Sequence, residues 1–422
     1  MSDVIEELTW RGLLANSTDE EALRAHLAAG PVTFYVGFDP TAPSIHFGNL
    51  VQLMVARHLQ RAGHRPLLLV GGSTGMIGDP KDSGERTLNS PETVTAWVSN
   101  IRRQVEKYVD FAGDNAAQVV NNLDWTGPMS VLDFLRDIGK HFPVNRMLAR
   151  DVVRNRLEDG ISYTEFSYVL LQSMDYLELF RTYGCTLQFG GSDQWGNITA
   201  GVELVRRAEG ARVHALATPL LTKADGTKFG KTEGGAIWLD PQLTSPYAFH
   251  QFFLNAEDEK VIDYLKVFSS RSREEIEDLE RQTVSEPFRR AAQKALADDV
   301  TALVHSERDR DAAVSAAAAI FGRSDLEQLD VSVLAGVVAE IGGVEITGGG
   351  ELPVMVDALE RSGVVASKSA ARRAIAEGGA YVNNQKVTDP EARLTERDLL
   401  HGRFVILRRG KKTVSALTIV GR

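Results

Sequence analysis

The chain lacks the features of secreted and membrane proteins. It has one cysteine, Cys185, and no stretch of about 20 apolar residues that would span a bilayer. A single cysteine excludes an intramolecular disulfide, and its apolar surroundings favour a packed thiol over a nucleophile. The first seven residues are acidic, unlike the basic start of a secretion leader. These absences predict a cytoplasmic protein that does not enter a membrane.

Two common nucleotide-binding fingerprints are missing as well. Without Gly-x-Gly-x-x-Gly, the sequence gives little support to a dehydrogenase. Residues 225–232 approach the phosphate-binding loop Gly-x-x-x-x-Gly-Lys-Thr, but Asp225 stands where that loop requires its first glycine. This segment therefore offers two lysines, Lys228 and Lys231, on a Gly-flanked loop of another kind.

Length and charge indicate several domains with different surfaces. A chain of 422 residues exceeds the size of a single core, and its 43% hydrophobic and 25% charged residues are ordinary for a globular protein. The formal net charge is −10, yet residues 351–422 carry 13 Lys and Arg against 8 Asp and Glu. An acidic body with a basic tail indicates that the tail meets a polyanion, or else carries a solvated basic face.

Strand patterns alternate with helical patterns in the first half of the chain. The strand patterns lie at 32–38, 66–72 and 186–190, and the helical patterns at 50–62, 90–111, 165–183 and 194–207. Such alternation predicts a parallel α/β sheet wrapped by helices, with ligands at the carboxyl ends of the strands. The second half is helical at 246–321, and after a Gly-rich stretch it contains a short basic helix at 367–377 and a strand ending near 404–412.

A turn at residues 40–49 and the two lysines suggest one site. The turn follows an apolar strand pattern and precedes a helical one, so His46 would lie at a helix N-terminus, where anions are favoured. Lys228 and Lys231 can neutralise the charge that moves onto a departing pyrophosphate. Either cluster alone fits an ordinary turn, but together they predict a site that splits a nucleoside triphosphate.

The helical pattern after Thr164, a plausible N-cap, carries a polar stripe. Tyr168, Gln172 and Asp175 follow one another at helical spacing among apolar residues, so all three lie on one partly buried face. Buried polar groups need partners, which a ligand or a structural network of these three residues can supply. A carboxylate there suits a ligand hydroxyl, while the tyrosine and glutamine suit an ammonium group.

At this point the sequence resembles the bacterial tyrosyl-tRNA synthetases, a family of class I aminoacyl-tRNA synthetases. The resemblance spans nearly the whole chain and includes the two opening clusters, the stripe just described and the segments 35–41, 78–80 and 190–197. It implies a Rossmann-like catalytic domain, an α-helical domain and a small α+β RNA-binding domain. The implied boundaries are 1–222 for the catalytic domain with a helical insertion near 75–160, 223–245 for the mobile lysine loop and connection, 246–325 for an anticodon-recognition domain, 326–350 for a Gly-rich linker and 351–422 for RNA binding.

The resemblance implies a two-step reaction. L-Tyrosine reacts with ATP to give tyrosyl-adenylate and pyrophosphate, and the tyrosyl group then moves to the 3′ end of tRNA(Tyr). Mg²⁺ is expected to accompany ATP, with no dedicated protein metal site. The family also implies a homodimer, for which the apolar segment 125–142 is a candidate interface, although core packing explains that segment as well.

The resemblance also assigns roles residue by residue. The catalytic group is Thr41, His46, Asn49, Arg86, Lys228, Lys231 and Thr232. The tyrosine-binding group is Tyr35, Asp79, Tyr168, Gln172, Asp175 and Gln194. The ATP-binding group is Gly37, Asp39, Thr41, His46, Gly48, Gly191, Asp193 and Lys231. The RNA-binding group is Lys368, Arg372, Arg373, Lys386, Arg408, Arg409, Lys411 and Lys412.

Several positions depart from the family signatures. Phe47 and Asn49 replace an isoleucine and the second histidine of His-Ile-Gly-His. Phe229, Gly230 and Thr232 replace the Met-Ser pair and the last serine of Lys-Met-Ser-Lys-Ser, which preserves both lysines and a hydroxyl. Lys81 lies away from the position where relatives carry a lysine, so its contact with pyrophosphate stays open.

Three alternatives remain at this stage. They are a tryptophanyl-tRNA synthetase, a small-metabolite adenylyltransferase and a catalytically inactive RNA-binding relative. Tyr35 with Asp175 favours a phenol over an indole, because an indole offers only an N–H. The basic tail argues against a small-metabolite enzyme, and the intact lysines and His46 argue against an inactive one.

Overall fold

The computed structural model describes residues 3–80, 88–232, 235–347, 351–410 and 413–421. The predictions for Lys81, Arg86, Lys411 and Lys412, and for the side chains of Lys231 and Thr232, lie outside the described residues.

The strands are β1 Asn16–Ser17, β2 Thr33–Phe38, β3 Arg65–Val70, β4 Gln118–Asn121, β5 Cys185–Gly191, β6 His214–Thr218, β7 Lys231–Thr232, β8 Gly235–Ala236, β9 Val344–Thr347, β10 Ala380–Val382, β11 Gln385–Lys386, β12 Phe404–Arg409 and β13 Thr413–Val420. The α-helices are α1 Val4–Trp10, α2 Glu20–Ala28, α3 Phe47–Arg61, α4 Thr74–Ile77, α5 Pro91–Val105, α6 Leu123–Thr126, α7 Val131–Asp133, α8 Val144–Leu148, α9 Asp151–Arg154, α10 Tyr163–Tyr183, α11 Trp195–Glu209, α12 Pro246–Leu254, α13 Val261–Phe268, α14 Arg273–Ser285, α15 Ala291–Val304, α16 Glu307–Ile320, α17 Val331–Glu340, α18 Met355–Arg361 and α19 Lys368–Ala376.

The chain divides into two compact units. The first comprises residues 1–240 and 257–281, and the second comprises 241–256 and 282–422. The helical domain expected at 246–325 is therefore divided, since α13 belongs to the first unit. Its last residue, Phe268, packs on Phe47 at the start of α3 with ring centroids 4.6 Å apart, which ties α13 to the sheet domain.

A parallel sheet organises the first unit, which confirms the predicted α/β class. Its strand order is β1-β6-β5-β2-β3-β4, in which β1 alone pairs antiparallel and the five longer strands pair in parallel. Leu67 and Leu69 of β3 pack in one core with Met174 and Leu177 of α10. Strands β2, β3, β5 and β6 end at one edge of the sheet, where the polar and Gly-rich turns begin.

The sequence patterns missed three strands of this sheet, the dipeptide β1 and the longer β4 and β6. β4 is only four residues, Gln-Val-Val-Asn, and lies inside the predicted helical insertion near 75–160, while β6 is an alanine-rich pentapeptide. Neither carries the run of β-branched and aromatic residues that marks a strand. The predicted cap of α10 is wrong by two residues, because the Ser162 hydroxyl accepts from the Glu165 N–H at 3.2 Å and Thr164 lies within the helix.

A five-stranded sheet joins two cores in the second unit. Its order is β11-β10-β12-β13-β9. Phe404 and Ile406 of β12 pack with α16 and α17, whereas the alternate residues Val405 and Leu407 pack with α18 and α19. Side chains on a strand alternate between faces, so β12 contributes to a core on each side of the sheet.

The Gly-rich linker expected at 326–350 is regular structure over most of its described length. Helix α17 contributes Leu334 and Val337 to the core that contains Phe404, and β9 pairs in parallel with β13. This segment contains a helix despite its glycines, because burial of Leu334 and Val337 stabilises the helix.

Candidate active site

A cavity of about 890 Å³ opens at the carboxyl edge of the parallel sheet. The predicted site residues that line it are Tyr35, Gly37, Asp39, Thr41, His46, Gly48, Asn49, Asp79, Tyr168, Gln172, Asp175, Gly191, Asp193, Gln194 and Lys228. They come from positions nearly 200 residues apart, and the parallel sheet brings them together because its strands end at one edge. All of these residues belong to the first unit.

One end of the cavity contains two buried polar residues, Tyr35 on β2 and Asp175 on α10, each 2% exposed. The Tyr35 hydroxyl has no hydrogen-bond partner among the described residues. Both oxygens of Asp175 accept hydrogen bonds, from Trp125 Nε1 at 2.9 Å and from Asn122 Nδ2 at 3.0 Å. We call this region, formed by Tyr35, Asp175, Asn122 and Trp125, the phenol end.

Burial dominates the electrostatics of the phenol end. It raises the pKa of Asp175 to about 8, although the hydrogen bonds from Asn122 and Trp125 favour the charged carboxylate and Asp39 opposes it. Burial and the neighbouring Asp175 also hold the pKa of Tyr35 well above its ordinary value. A ligand that donates to Asp175 and contacts the Tyr35 hydroxyl would satisfy the groups that this burial isolates from water.

Sequence reasoning missed Asn122 and Trp125. Asn122 follows β4 directly, so the failure to detect that strand hid its position at the functional edge of the sheet. Trp125 lies in the segment interpreted as an interface or core, whereas its indole N–H serves Asp175.

Asp39 also lines the cavity and is held by two hydroxyls. Tyr168 donates to its Oδ2 and Thr74 donates to its Oδ1, both at 2.6 Å. A Cβ on Gly71 would overlap both the Asp39 carboxylate and the Thr74 hydroxyl, so glycine is required for this close approach. Burial and Asp39 raise the pKa of Tyr168, which keeps its hydroxyl a donor.

Asp79 belongs to a second polar network. Gln194 Nε2 donates to its Oδ2 at 2.8 Å and Asn197 Nδ2 donates to its Oδ1 at 3.1 Å, while Arg150 donates to Asn197. Burial lowers the pKa of Arg150, and Asp79 opposes that shift. Asn197 and Arg150 were not predicted as site residues, although Asn197 ends one of the motifs that carried the resemblance.

Gln172 is the third member of the predicted stripe. Its Oε1 atom is buried and has no hydrogen-bond partner among the described residues. Since an unsatisfied buried oxygen is costly, this position favours a ligand with a donor such as an ammonium group.

His46 lines the cavity and directly precedes α3. Its backbone N–H donates to the Asn49 side chain at 3.1 Å, so Asn49 supports the first turn of the helix. A Cβ on Gly48 would lie 2.9 Å from His46 Cε1, and glycine therefore leaves room for the imidazole. The exposed N-terminus of a 15-residue helix is suited to a phosphate.

The segment that carries Lys228 is folded back on itself. Thr222 and Lys228 form an antiparallel bridge, and the Phe229 N–H donates to the Leu221 carbonyl at 2.9 Å. Lys228 is exposed and lines the cavity. The following residues form β7, which pairs with β8 at Lys231 and Ala236.

The predicted RNA-binding residues differ in exposure. Lys368 pairs with Asp357 and Arg372 pairs with Glu391, both at 2.9 Å, and all four of these side chains keep contact with solvent. Arg373, Lys386 and Arg409 are exposed. Arg408 is a correction: it is 9% exposed and stacks on Tyr381 with its guanidinium 4.1 Å from the ring centroid, so it supports the fold.

Among the described residues, no group of three or more His, Cys, Asp or Glu side chains is arranged to hold a metal ion. No helix in the described ranges combines the length and apolar character needed to cross a membrane.

Known proteins match both halves of the chain. The family described as tRNA synthetases class I (W and Y) matches residues 27–322, and the tyrosine–tRNA ligase SYY-like C-terminal domain matches residues 337–417. The tyrosine–tRNA ligase of Cutibacterium acnes is 65% identical over 418 residues, covering 99% of this chain and 100% of the relative. The chain belongs to the tyrosine–tRNA ligases. The tyrosine–tRNA ligase of Streptomyces coelicolor is 59% identical over 424 residues, with complete coverage of both chains.

A solved structure supports the same assignment. The truncated mitochondrial tyrosyl-tRNA synthetase of Aspergillus nidulans has a TM-score of 0.67 and 31% identity, covering 75% of this chain and 93% of that one. A tryptophanyl-tRNA synthetase of Plasmodium falciparum shares the fold at 13% identity, with a TM-score of 0.55 over 72% of this chain and 84% of that one. This tyrosine–tRNA ligase is thus an ATP-dependent aminoacyl-tRNA synthetase, and the three sequence-based alternatives receive no support.

Proposed function

We propose that the cavity performs tyrosine activation through the residues assigned by sequence. One observation carries this proposal: the Tyr35 hydroxyl and the Gln172 oxygen are buried and without partners among the described residues, on the same cavity as the buried Asp175. The phenol of tyrosine would meet Tyr35 and Asp175, and its ammonium group would meet Gln172.

Tyr35 and Asp175 select the substrate phenol. Asp175 accepts from the phenol O–H, and the donors Asn122 and Trp125 hold its carboxylate in the required orientation. Phenylalanine would leave these polar groups unpaired, and a site built to bond a hydroxyl strongly rejects an analogue without it; tyrosine–tRNA ligases are themselves the reference case for this rule.

The substrate backbone lies between two carboxylates. Asp79, Tyr168 and Gln172 bind the α-ammonium group, and Gln194 lies near the carboxylate. Because Tyr168 is already bonded to Asp39, it offers its oxygen to the ammonium as an acceptor. Two nearby carboxylates, Asp39 and Asp79, favour a positive group at this point of the cavity.

ATP occupies the His46 end of the cavity. Its ribose meets Gly191 and Asp193, its phosphates meet Gly37, Asp39 and Thr41, and the nucleotide contacts His46, Gly48 and Asn49. Lys228, Lys231 and Thr232 stabilise the departing pyrophosphate, with Arg86 as a helper. Mg²⁺ would accompany ATP and help to neutralise the charge of its phosphates.

The chemistry needs no covalent nucleophile from the protein. A carboxylate oxygen of tyrosine bonds to the α-phosphorus while the bond to the bridging oxygen breaks, and that electron pair leaves on pyrophosphate. In the second step a hydroxyl of the terminal ribose of the tRNA attacks the tyrosyl carbonyl carbon, and AMP departs. The protein contributes orientation and charge stabilisation, since two anions must meet.

Amino-acid-dependent exchange of labelled pyrophosphate into ATP tests the site. Wild type should exchange with tyrosine and not with phenylalanine or tryptophan, and Tyr35→Phe should weaken discrimination against phenylalanine. Unchanged discrimination in Tyr35→Phe would contradict the assignment of the phenol end.

tRNA binding extends to the second unit. We assign contacts with the RNA backbone to Lys368, Arg372, Arg373, Lys386 and Arg409, which are exposed, and to Lys411 and Lys412 from sequence. The helices of this unit are proposed to recognise the anticodon. Lys and Arg that neutralise phosphates make binding depend on salt.

The enzyme is proposed to be a cytoplasmic homodimer. Val131 and Leu132 are 73% and 77% exposed, and Leu135 and Val144 also expose apolar surface in this part of the first unit. Apolar patches of this kind mark protein interfaces. Sedimentation of Leu132→Asp against wild type tests the dimer, which the charge should dissociate.

A further inference from the structure

The segment 222–229, which carries Lys228, packs against aromatic side chains. Phe229 stacks on Tyr264 of α13 with centroids 3.9 Å apart and a 17° angle between the rings. Phe229 also meets the edge of Phe47, at 5.4 Å and 80°, and Phe47 in turn packs on Phe268 at 4.6 Å. We call Phe47, Phe229, Tyr264 and Phe268 the aromatic clamp. All four belong to the first unit.

Tyr264 fixes the backbone of the same segment. Its hydroxyl donates to the Thr222 carbonyl at 2.9 Å, and Thr222 is the residue that bridges to Lys228. One buried side chain therefore holds both strands of the folded segment, through its ring on Phe229 and its hydroxyl on Thr222. An N–H on the tip of the segment, that of Ala224, donates to Glu257 at 2.6 Å, so a second contact ties it to the residues before α13.

Gly230 makes the close approach to the clamp possible. Its φ is +93°, a conformation that residues with a side chain rarely adopt, and a Cβ there would lie 2.9 Å from Phe47 Cδ1. Three of the departures from the family signatures, Phe47, Phe229 and Gly230, thus meet at one contact.

Phe229 is half-buried between Tyr264 and Phe47, and the adjacent Lys228 is exposed and lines the cavity. We propose that Tyr264 is a positioning residue for adenylate formation, and that the clamp holds Lys228 where pyrophosphate departs. The inference rests on the proposed role of Lys228. A displacement of about 1 Å at such a group can cost on the order of 100-fold in rate.

Two variants of Tyr264 separate its contacts. Tyr264→Leu removes the ring stack and the hydroxyl, and it should lower the rate constant of adenylate formation about 10- to 100-fold. Tyr264→Phe keeps the stack and loses the hydrogen bond to Thr222, so a reduction of about 2- to 10-fold is expected. Tyrosine affinity, measured by equilibrium dialysis without ATP, should stay within about 2-fold of wild type because the phenol end is untouched.

The rate constant must be measured per active site. Stopping the reaction after one turnover and titrating the trapped tyrosyl-adenylate counts the folded enzyme, so a variant that merely folds poorly shows fewer sites at the normal rate. Tyr108→Leu is the matched control, since Tyr108 is also a buried tyrosine of the first unit and lies outside the cavity lining. It should lower thermal stability and leave the rate constant per site unchanged.

Lys228→Ala distinguishes failure of the clamp from failure of the lysine assignment. If Lys228→Ala is as fast as wild type, the proposed role of the lysine is wrong. If Lys228→Ala is slow while Tyr264→Leu is normal per site, the clamp is wrong. Transfer of tyrosine from preformed enzyme-bound adenylate to tRNA should be unchanged in Tyr264→Leu, and an equal slowing of transfer would also overturn the proposal.

Discussion

At the phenol end, Asp175 is 2% exposed and accepts two hydrogen bonds, whereas Lys228 is exposed and its segment is held by the stack of Phe229 on Tyr264. The first arrangement fixes a group by surrounding it with polar partners. The second leaves the charged group open and fixes the residue beside it. Selection of a hydroxyl needs a desolvated site, while a lysine that meets a departing anion needs freedom to contact it.

The strongest test of this contrast is Asp175→Asn. Asparagine has one acceptor oxygen where Asp175 has two, so its NH2 group would face either Asn122 or Trp125, which both donate, and that buried pair would remain unsatisfied. We expect kcat/KM for tyrosine to fall on the order of 100- to 1,000-fold, measured by pyrophosphate exchange. The matched variant Glu178→Gln, elsewhere on α10, should change it less than about 2-fold. A small effect of Asp175→Asn would mean that the phenol end tolerates a neutral acceptor.

Acid should destabilise the part of the first unit that supports Lys228, through protonation of His58 on α3. Burial, with a smaller contribution from Arg11, lowers the pKa of His58 on α3 from 6.5 to about 4. Arg11 donates to the Lys266 and Ser269 carbonyls at the end of α13, the helix that carries Tyr264. Above pH 6.5 His58 is neutral in both states. As the pH falls from 6.5 to 4 the unfolded chain binds the proton first, so the free energy of unfolding should fall by about 3 kcal/mol.

Urea unfolding at pH 7.5 and pH 4 measures this loss. His58→Gln has no titratable ring, and it should lose about 3 kcal/mol less than wild type between the two pH values. His26, His64 and His214 are also lowered in pKa by burial and act in the same direction in both proteins. Equal losses in wild type and variant would show that His58 does not link the fold to pH.

The smallest expected effect concerns the exposed basic residues of the second unit. We expect that they contribute to tRNA binding and not to the chemistry in the cavity. Arg373→Glu with Arg409→Glu should reduce tRNA charging about 3- to 10-fold at 0.15 M salt and flatten its salt dependence. Pyrophosphate exchange should stay at the wild-type level, because neither residue lines the cavity. Arg206→Glu on α11 is the control for loss of an exposed arginine. Reduced exchange in the double variant would show that the tail supports the active site directly.

Much of the site was predictable because local patterns locate it. The strand that contains Gly37, the helix after His46 and the spacing of Tyr168, Gln172 and Asp175 each follow from short segments. Residues such as Asn122 and Tyr264 were not predictable, since their roles depend on contacts with residues 35 to 53 positions away.

The second unit shows why composition alone misled the prediction of its boundaries. The glycines around 341–350 indicate a linker, yet Leu334 and Val337 before them are fully buried. Likewise, Arg408 is basic and near the C-terminus, but the ring of Tyr381 determines its position. Burial is a tertiary property, and a charge count does not contain it.

The side chains of β12 alternate between two cores, which limits the insertions and deletions that this strand can accept. Phe404 and Ile406 serve one core, and Val405 and Leu407 serve the other. Inserting a single residue before Phe404 that shifted the strand by one position would exchange the two sets, placing each pair in a cavity shaped for the other. Substitution within either core is therefore a local event, whereas a change of length at this strand disturbs both cores at once. We expect natural length variation in the second unit to fall in its turns and to spare β12.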